Sequence, residues 1–198
     1  MMRKLGLILM VLVSLTLGAP SLEAISFQPK SFDELADEAE QIFIGTVRGA
    51  TSRRTDKSAI VTDYTFGDLE VIKGDAPEPR ASITMLGGTV GNESMTIPGA
   101  PDFVIGVRYL VFVAGNGSVI FPVVGGHQGI FQVRPDPQTG GSHVYDYSGR
   151  AIIDLPASKG TLSNRGVQSS PSGSDGSAAP TAISTEAFVR AIRRVLQR

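Results

Sequence analysis

The sequence predicts an all-β fold: a small closed or partly open barrel, preceded by a short helix and followed by an amphipathic helix. Two observations support this prediction. Many short apolar segments are bounded by Gly or Pro, which is typical of β-strands joined by tight turns. Strand and helix patterns do not alternate, so a doubly wound α/β fold is not expected. The predicted strands span residues 42–47, 60–72, 81–86, 93–97, 107–113, 119–123, 130–133 and 144–147.

Residues 1–24 have the three-part layout of a secretory signal peptide. Arg3 and Lys4 supply positive charge, residues 5–17 are mostly apolar, and small residues follow. The apolar run of about 13 residues is shorter than the roughly 20 that a membrane-spanning helix needs. We therefore expect a secreted or periplasmic protein that is cleaved after Ala24, with cleavage after Ser21 as the alternative. No transmembrane segment is expected in the mature chain.

The composition excludes several kinds of chemistry. The chain has no Cys, which rules out disulfides, Cys-ligated zinc, iron–sulfur clusters and thiol catalysis. Its two His residues, His127 and His143, lack the spacing of zinc hydrolases. The chain carries 18 Lys+Arg and 19 Asp+Glu, and removing residues 1–24 leaves 16 and 18, a net charge of −2. Nucleic-acid-binding domains carry a basic excess, so we expect no nucleic-acid partner, and we expect no cofactor.

A short helix is predicted over residues 31–39, just before the first strand. Ser31 is a suitable N-cap, and the apolar residues after it share one helix face. Further along, the apolar residues of strand 60–72 change phase after Gly67 and Asp68. We expect a β-bulge at this position, because bulged and coiled strands allow a small barrel to close.

The predicted barrel domain spans residues 25–156 and is followed by a change in composition. Residues 157–183 are rich in Ser, Gly and Pro, which indicates a flexible linker. Residues 184–198 then predict an amphipathic helix with Ser184 as the N-cap. Its apolar stripe consists of Phe188, Ala191, Ile192, Val195 and Leu196. We expect this helix to dock on its own barrel; a partner protein and an anionic membrane surface are the alternatives.

A set of short motifs spans residues 31–133. They are Phe32-Asp33-Glu34-Leu35, Ile42–Val47, Val71-Ile72-Lys73-Gly74, Gly87-Gly88, Arg108–Phe112 and Gly129–Val133. As a set they resemble a group of secreted bacterial proteins of uncharacterised role. The order of the first elements is also similar to the N-terminal domain of tissue inhibitors of metalloproteinases, which implies an OB-like five-stranded barrel. Those inhibitors chelate the protease zinc through an N-terminal cysteine, and this chain has none, so their inhibitory mechanism does not follow from the resemblance.

Two groups of residues are candidates for ligand binding. Arg53, Arg54 and Lys57 lie in the predicted loop between the first two strands, where OB-folds often bind ligands. His127 and Gln128 lie in a Gly-rich segment that lacks the Lys-Ser/Thr of a phosphate-binding loop. The chain also lacks the Gly-x-Ser-x-Gly turn of a Ser–His–Asp hydrolase. No catalytic, cofactor-binding or metal-binding residue is predicted.

These observations predict a secreted or periplasmic, non-enzymatic module that binds a protein or peptide partner. The partner would be another secreted or envelope protein. One alternative is a hydrolase whose site is built from Ser, Lys and Asp residues that no motif marks. The other is a peptidase inhibitor, which the resemblance alone implies.

Overall fold

The computed structural model describes residues 27–75, 79–155 and 182–198, which form mainly antiparallel β-sheet with two helices. The predicted signal peptide lies outside the described residues, as does all of the predicted linker except its last two residues. The elements in chain order are α1 (Phe32–Glu38), β1 (Gln41–Arg54), β2 (Ile60–Lys73), β3 (Ala81–Leu86), β4 (Gly88–Val90), β5 (Glu93–Met95), β6 (Arg108–Val113), a 3₁₀ turn (Gly126–Gly129), β7 (Ile130–Pro135), β8 (Ser142–Asp146) and α2 (Thr185–Leu196).

Six strands form one antiparallel sheet in the order β3-β2-β1-β6-β7-β8, and β4 and β5 form a separate hairpin. The edge strands β3 and β8 do not pair with each other, so the barrel is partly open. Backbone from elsewhere in the chain covers both edges. The Leu86 N–H donates to the Ile120 carbonyl at 3.1 Å, and the Val144 N–H donates to the Ile183 carbonyl at 3.0 Å. Such covering protects the edges from pairing with another chain.

Helix α1 begins at the predicted N-cap. The Glu34 N–H donates to Ser31 Oγ at 3.2 Å, and the Ser31 N–H donates to the Glu34 carboxylate at 2.7 Å. This reciprocal pair is a capping box, and its hydrogen bonds lower the pKa of Glu34. The helix buries Phe32, Leu35 and Ala36, which confirms the predicted apolar face.

The predicted bulge is present in β2. Ile44 lies opposite Glu70 but Thr46 lies opposite Gly67, so β2 has one extra residue over this interval. The left-handed conformation is taken by Asp68, with φ of +51°, and not by the neighbouring glycine. Asp tolerates this region better than most side chains, which explains why the bulge needs no glycine there.

β1 is longer than predicted and runs through Arg54. Arg53 lies opposite Val61 and Arg54 opposite Ile60, so the hairpin loop is limited to residues 55–59. The polar residues from Arg53 onward predicted a loop. This end of β1 is exposed, however, and an exposed strand segment does not require apolar residues. Of the three basic candidates, Arg53 and Arg54 therefore lie on a strand, and Lys57 lies on the loop.

Residues 119–123 do not form the predicted strand. Val123 makes an isolated bridge with Val113, while Val119 and Ile120 are about half exposed, at 49% and 58%. Pro122 has no N–H to contribute to a strand ladder. The Ile120 carbonyl accepts from Leu86 at the end of β3, and the Pro122 carbonyl accepts from Ala114 just after β6. The segment is therefore a covering loop and not a sheet strand.

The sheet separates two hydrophobic cores. The helix-side core packs α1 and α2 on one face; its largest buried members are Phe32, Leu35, Ile42, Ile44, Leu110, Phe112, Phe131, Ile152, Phe188 and Ile192. The barrel core lies inside the curl of the sheet; its members are Phe43, Val47, Phe66, Ala81, Ile83, Met85, Phe103, Tyr109, Val111, Val113, Val123 and Ile130. From Tyr109 to Val113, β6 is buried on both faces, which explains the continuous run of apolar and aromatic residues there.

Helix α2 docks on the chain's own sheet beside α1, as predicted. The Ala187 N–H donates to Ser184 Oγ at 3.3 Å, which confirms Ser184 as the N-cap. The Phe188 side chain is fully buried, and its ring centroid lies 5.3 Å from that of Phe32 and 5.0 Å from that of Phe131. The chain enters this helix through Ala182 and Ile183, which the sequence assigned to the linker but which lie against β8 and Ile152.

Candidate binding cleft

A cleft of about 430 Å³ lies where the two cores meet. Its apolar walls are Leu35, Phe131 and Ile152 from the helix-side core, together with Tyr147, which packs against the barrel core. Its polar lining consists of Lys30, His127, Gln128, Asp146, Ser148 and Arg150. The structure therefore brings two of the five candidate binding residues, His127 and Gln128, to one site.

His127 forms part of an aromatic wall. The 3₁₀ turn that holds it places its ring centroid 4.4 Å from that of Tyr147 and 6.3 Å from that of Phe27, to which it is nearly perpendicular. Burial lowers the pKa of His127, because the apolar surroundings disfavour the charged imidazolium. At neutral pH this side chain is therefore an uncharged ring that extends the apolar surface of the cleft.

Gln128 holds one rim of the cleft in place. Its Oε1 accepts the Lys30 N–H at 2.8 Å. Its Nε2 donates to the carbonyl oxygens of Gln28 at 2.9 Å and Gly125 at 3.1 Å. Because the amide is occupied by backbone groups, Gln128 positions residues 27–30 and has little hydrogen-bonding capacity left for a ligand.

The turn from Asp146 to Arg150 forms the opposite rim. The Asp146 carboxylate accepts the Ser148 hydroxyl at 2.7 Å, the Arg150 N–H at 2.9 Å and Arg150 Nε at 2.9 Å. Gly149 completes the turn with φ of +85°. Within the described residues no hydrogen bond joins Ser148 to His127, so the Ser, His and Asp of this cleft do not have the order of a nucleophile–base–acid triad.

Tyr147 connects the cleft to residues 99–107, which we call the strap. Its hydroxyl oxygen accepts the Asp102 N–H at 2.9 Å, and the Asp102 carboxylate accepts the Tyr64 hydroxyl from β2. Burial and this carboxylate raise the pKa of Tyr64, which keeps its proton available for the bond. The next strap residue, Phe103, is buried in the barrel core. The aromatic wall of the cleft is thus fastened to the core behind it.

Arg53, Arg54 and Lys57 do not line this cleft. Arg53 Nε pairs with Asp63 Oδ2 at 2.6 Å, which raises the pKa of Arg53, and Arg54 pairs with Glu93 of the β4–β5 hairpin. Both guanidinium groups are thus already occupied by carboxylates. Lys57 is exposed at the tip of the β1–β2 hairpin.

The part of the chain that the structure describes contains no group of three or more His, Cys, Asp or Glu side chains that could hold a metal ion. His143, the second histidine, has its Nδ1 3.8 Å from an Asp136 oxygen and does not line the cleft. Across residues 27–75, 79–155 and 182–198, no helix is long and apolar enough to cross a membrane.

Sequence reasoning missed several residues of the cleft: Lys30, Tyr147, Ser148 and Arg150. Asp146-Tyr147-Ser148-Gly149 is typical of a turn, but such a pattern does not indicate which surface the turn faces. In the sequence, Leu35, Phe131 and Ile152 look like ordinary core residues. The cleft therefore had no signal in the sequence apart from the Gly-rich segment around His127.

Comparison with protein-family models, curated proteins and solved structures finds no match for this chain. The resemblances to secreted bacterial proteins and to tissue inhibitors of metalloproteinases therefore remain predictions from the sequence. The residues of the cleft are the basis for any statement about function.

Proposed function

We propose that this chain is a secreted or periplasmic binding module, not an enzyme, whose cleft receives an apolar or aromatic side chain of a protein or peptide partner. The single observation behind this proposal is the cleft's composition. Its walls are aliphatic and aromatic, and its polar groups are largely engaged with one another. Apolar concave sites with a few polar groups at the rim are the usual form of binding pockets.

The size and position of the cleft favour a side chain of a larger partner. A volume of about 430 Å³ lies toward the lower end of the range for ligand sites, which is roughly 300–1,000 Å³. The adjoining rings of His127 and Tyr147, tilted 54° to each other, offer an aromatic surface to such a side chain. The edges at β3 and β8 are occupied by the chain's own backbone, so recognition through the cleft is favoured over strand addition at those edges.

The hydrogen bonds at the rim favour binding over hydrolysis. The Ser148 hydroxyl donates to Asp146, and Asp146 also holds Arg150. Lys30 Nζ is paired with Glu38 at 2.6 Å. The Ser, Lys and Asp that an unmarked hydrolase would use in this cleft thus serve to shape its rims.

The proposed secreted or periplasmic location is supported by residues 1–24. Their positive start, apolar stretch and small residues near Ala24 support export through a signal peptide. A partner would then be another secreted or envelope protein.

Selection from a displayed library of random peptides tests the proposal. Peptides that bind the full-length protein should share an aromatic or large aliphatic residue. The variant Ser148→Trp places an indole at the exposed rim and should weaken their affinity by roughly tenfold or more. Ser148→Ala is the matched control, because it loses the same hydrogen bond to Asp146 but leaves the cleft open, and it should keep the affinity.

Two results would contradict the proposal. Equal binding of the selected peptides to wild type and Ser148→Trp would place the interaction outside the cleft. Cleavage of the peptides by wild type, lost in Ser148→Ala, would show a hydrolase.

A further inference from the structure

A second feature of the surface, independent of the cleft, is a concentration of arginines beside helix α2. Arg108, Arg190 and Arg193 line a hollow of about 240 Å³ between α2 and the sheet. Arg48 and Arg80 line a shallow depression of about 580 Å³ at the bulge of β2. We call these five residues the arginine strip.

The two hollows are joined through the bulge residue. The Asp68 carbonyl accepts a hydrogen bond from Arg108 Nη1 at 2.9 Å, and the Asp68 carboxylate pairs with Arg48. Asp68, with its left-handed backbone, therefore contacts Arg108 of one hollow through its carbonyl and Arg48 of the other through its carboxylate. The strip is a continuous surface that crosses from the sheet to the helix.

Three of the five arginines on the strip have no charged partner among the described residues. Arg80, Arg190 and Arg193 are exposed and form no hydrogen bond or ion pair with another described residue. The carboxylates that line the same hollows are those of Asp68, Glu70 and Glu186. Among the described residues that line the two hollows, five guanidinium groups stand against three carboxylates, an excess of two positive charges. The chain without residues 1–24 has a net charge of −2.

We infer that the arginine strip binds an acidic peptide segment of a partner protein. A guanidinium group binds a carboxylate through two parallel hydrogen bonds, and the hollows have room for individual side chains. Glu70 and Glu186 lie between the arginines and repel a densely charged polyanion. This alternation of charges on the strip favours a peptide whose acidic residues are separated by neutral ones, because complementary charge patterns determine partner choice.

Fluorescence anisotropy with the full-length protein tests this inference. The probe is a labelled peptide of alternating Glu and Ala, and the same peptide with Gln in place of Glu is its control. We expect Arg190→Gln/Arg193→Gln to weaken binding of the Glu peptide by roughly tenfold or more. Raising the salt concentration from about 50 to about 200 mM should also weaken binding, since the contacts are exposed.

The matched control removes two charges from outside the strip. Arg194→Gln/Lys57→Gln changes one exposed arginine of the same helix and one exposed lysine of the β1–β2 loop, so the net charge of the two double variants is equal. This control should bind the Glu peptide within about twofold of wild type. Arg80→Gln provides a second strip variant on the sheet side and should weaken binding without altering helix α2.

Three outcomes would overturn the inference. In the first, wild type binds the Glu peptide no better than the Gln peptide. In the second, the two double variants weaken binding equally, which would reflect net charge alone. In the third, the strip prefers polyphosphate or vesicles of phosphatidylglycerol to the peptide, which would assign it to a phosphate-bearing ligand. None of these results depends on the aromatic cleft, so the proposed function stands or falls separately.

Discussion

The two cores on opposite faces of the sheet are sealed in different ways. The helix-side core is covered by two regular helices, each with a side-chain N-cap and an apolar face. The barrel core is covered by the curl of the sheet itself and by the strap, residues 99–107, which has no helix or strand of its own. The comparison shows that a sheet can be closed either by regular amphipathic elements or by an irregular loop with one well-placed aromatic residue.

Phe188 of α2 and Phe103 of the strap are each buried among other aromatic rings, one in each core. Phe188 packs against rings at 5.3 and 5.0 Å. Phe103 packs against three rings, those of Tyr64, Phe66 and Tyr109, at 5.2, 5.2 and 5.3 Å. The difference lies in what surrounds each residue. Phe188 is one of several buried apolar residues on α2, whereas the strap residue after Phe103 is 60% exposed.

The largest effect is expected from ending the chain after Leu155, which removes helix α2. Each large apolar side chain of α2 that is buried contributes about 1.5–3 kcal/mol. The helix buries Phe188, Val189, Ile192 and Val195, and total stability is only about 5–15 kcal/mol. We expect the shortened chain to lose cooperative thermal unfolding and to aggregate, as measured by circular dichroism and gel filtration.

Arg194→Ala, on the exposed side of the same helix, is the control for the shortened chain and should melt like wild type. A shortened chain that melts at the wild-type temperature would show that α2 does not stabilise the helix-side core.

A smaller loss is expected from Phe103→Ala in the barrel core. Removing a buried Phe side chain costs about 3–5 kcal/mol, because the cavity that remains is incompletely filled. Urea denaturation should show this loss while the transition stays cooperative, since α1 and α2 still cover the other face. Val104→Ala, the adjacent strap residue at 60% exposure, should change stability by no more than about 0.5 kcal/mol. Equal effects of the two substitutions would mean that the strap does not seal this core.

The smallest effect concerns His127, at the seam between the cores. Its pKa is lowered from the usual 6.5 in the folded protein, so the unfolded chain binds a proton more readily. The stabilisation is therefore present above about pH 6.5 and is lost as the pH falls through the lower folded value. Melting temperatures measured from about pH 7.5 to about pH 5.5 should fall for wild type and fall less for His127→Gln.

If His127→Gln and wild type show the same dependence, the desolvation of His127 is not coupled to folding.

The elements that the sequence predicted correctly are those that depend on local interactions. Ser31 and Ser184 cap helices through hydrogen bonds that span three residues. The bulge at Asp68 was visible because the apolar phase of one strand reverses there. In each case the signal and the structure involve the same short segment.

The elements that the sequence predicted wrongly depend on backbone partners outside the segment itself. Residues 119–123 are apolar like a strand but form a loop that bonds to Leu86 of β3 and to Ala114 after β6. The polar end of β1 pairs with β2 although its composition indicates a loop. Ala182 and Ile183 belong by composition to the linker, yet Ala182 is buried and Ile183 bonds to Val144 of β8 and to Ile152. In all three cases the backbone partner lies elsewhere in the chain.

By itself the sequence determined the mainly β class, the two helices with their caps, the bulge in β2 and the exclusion of cysteine chemistry. These follow from composition and from periodicity within single segments. Only the tertiary structure decided that the barrel stays partly open, that α2 covers one face of it, and that Leu35, His127, Tyr147 and Ile152 line one cleft. The physical reason is that the pairing of β6, β7 and β8 and the packing of both cores bring these residues together. Such long-range contacts produce no periodic pattern within the segments that make them.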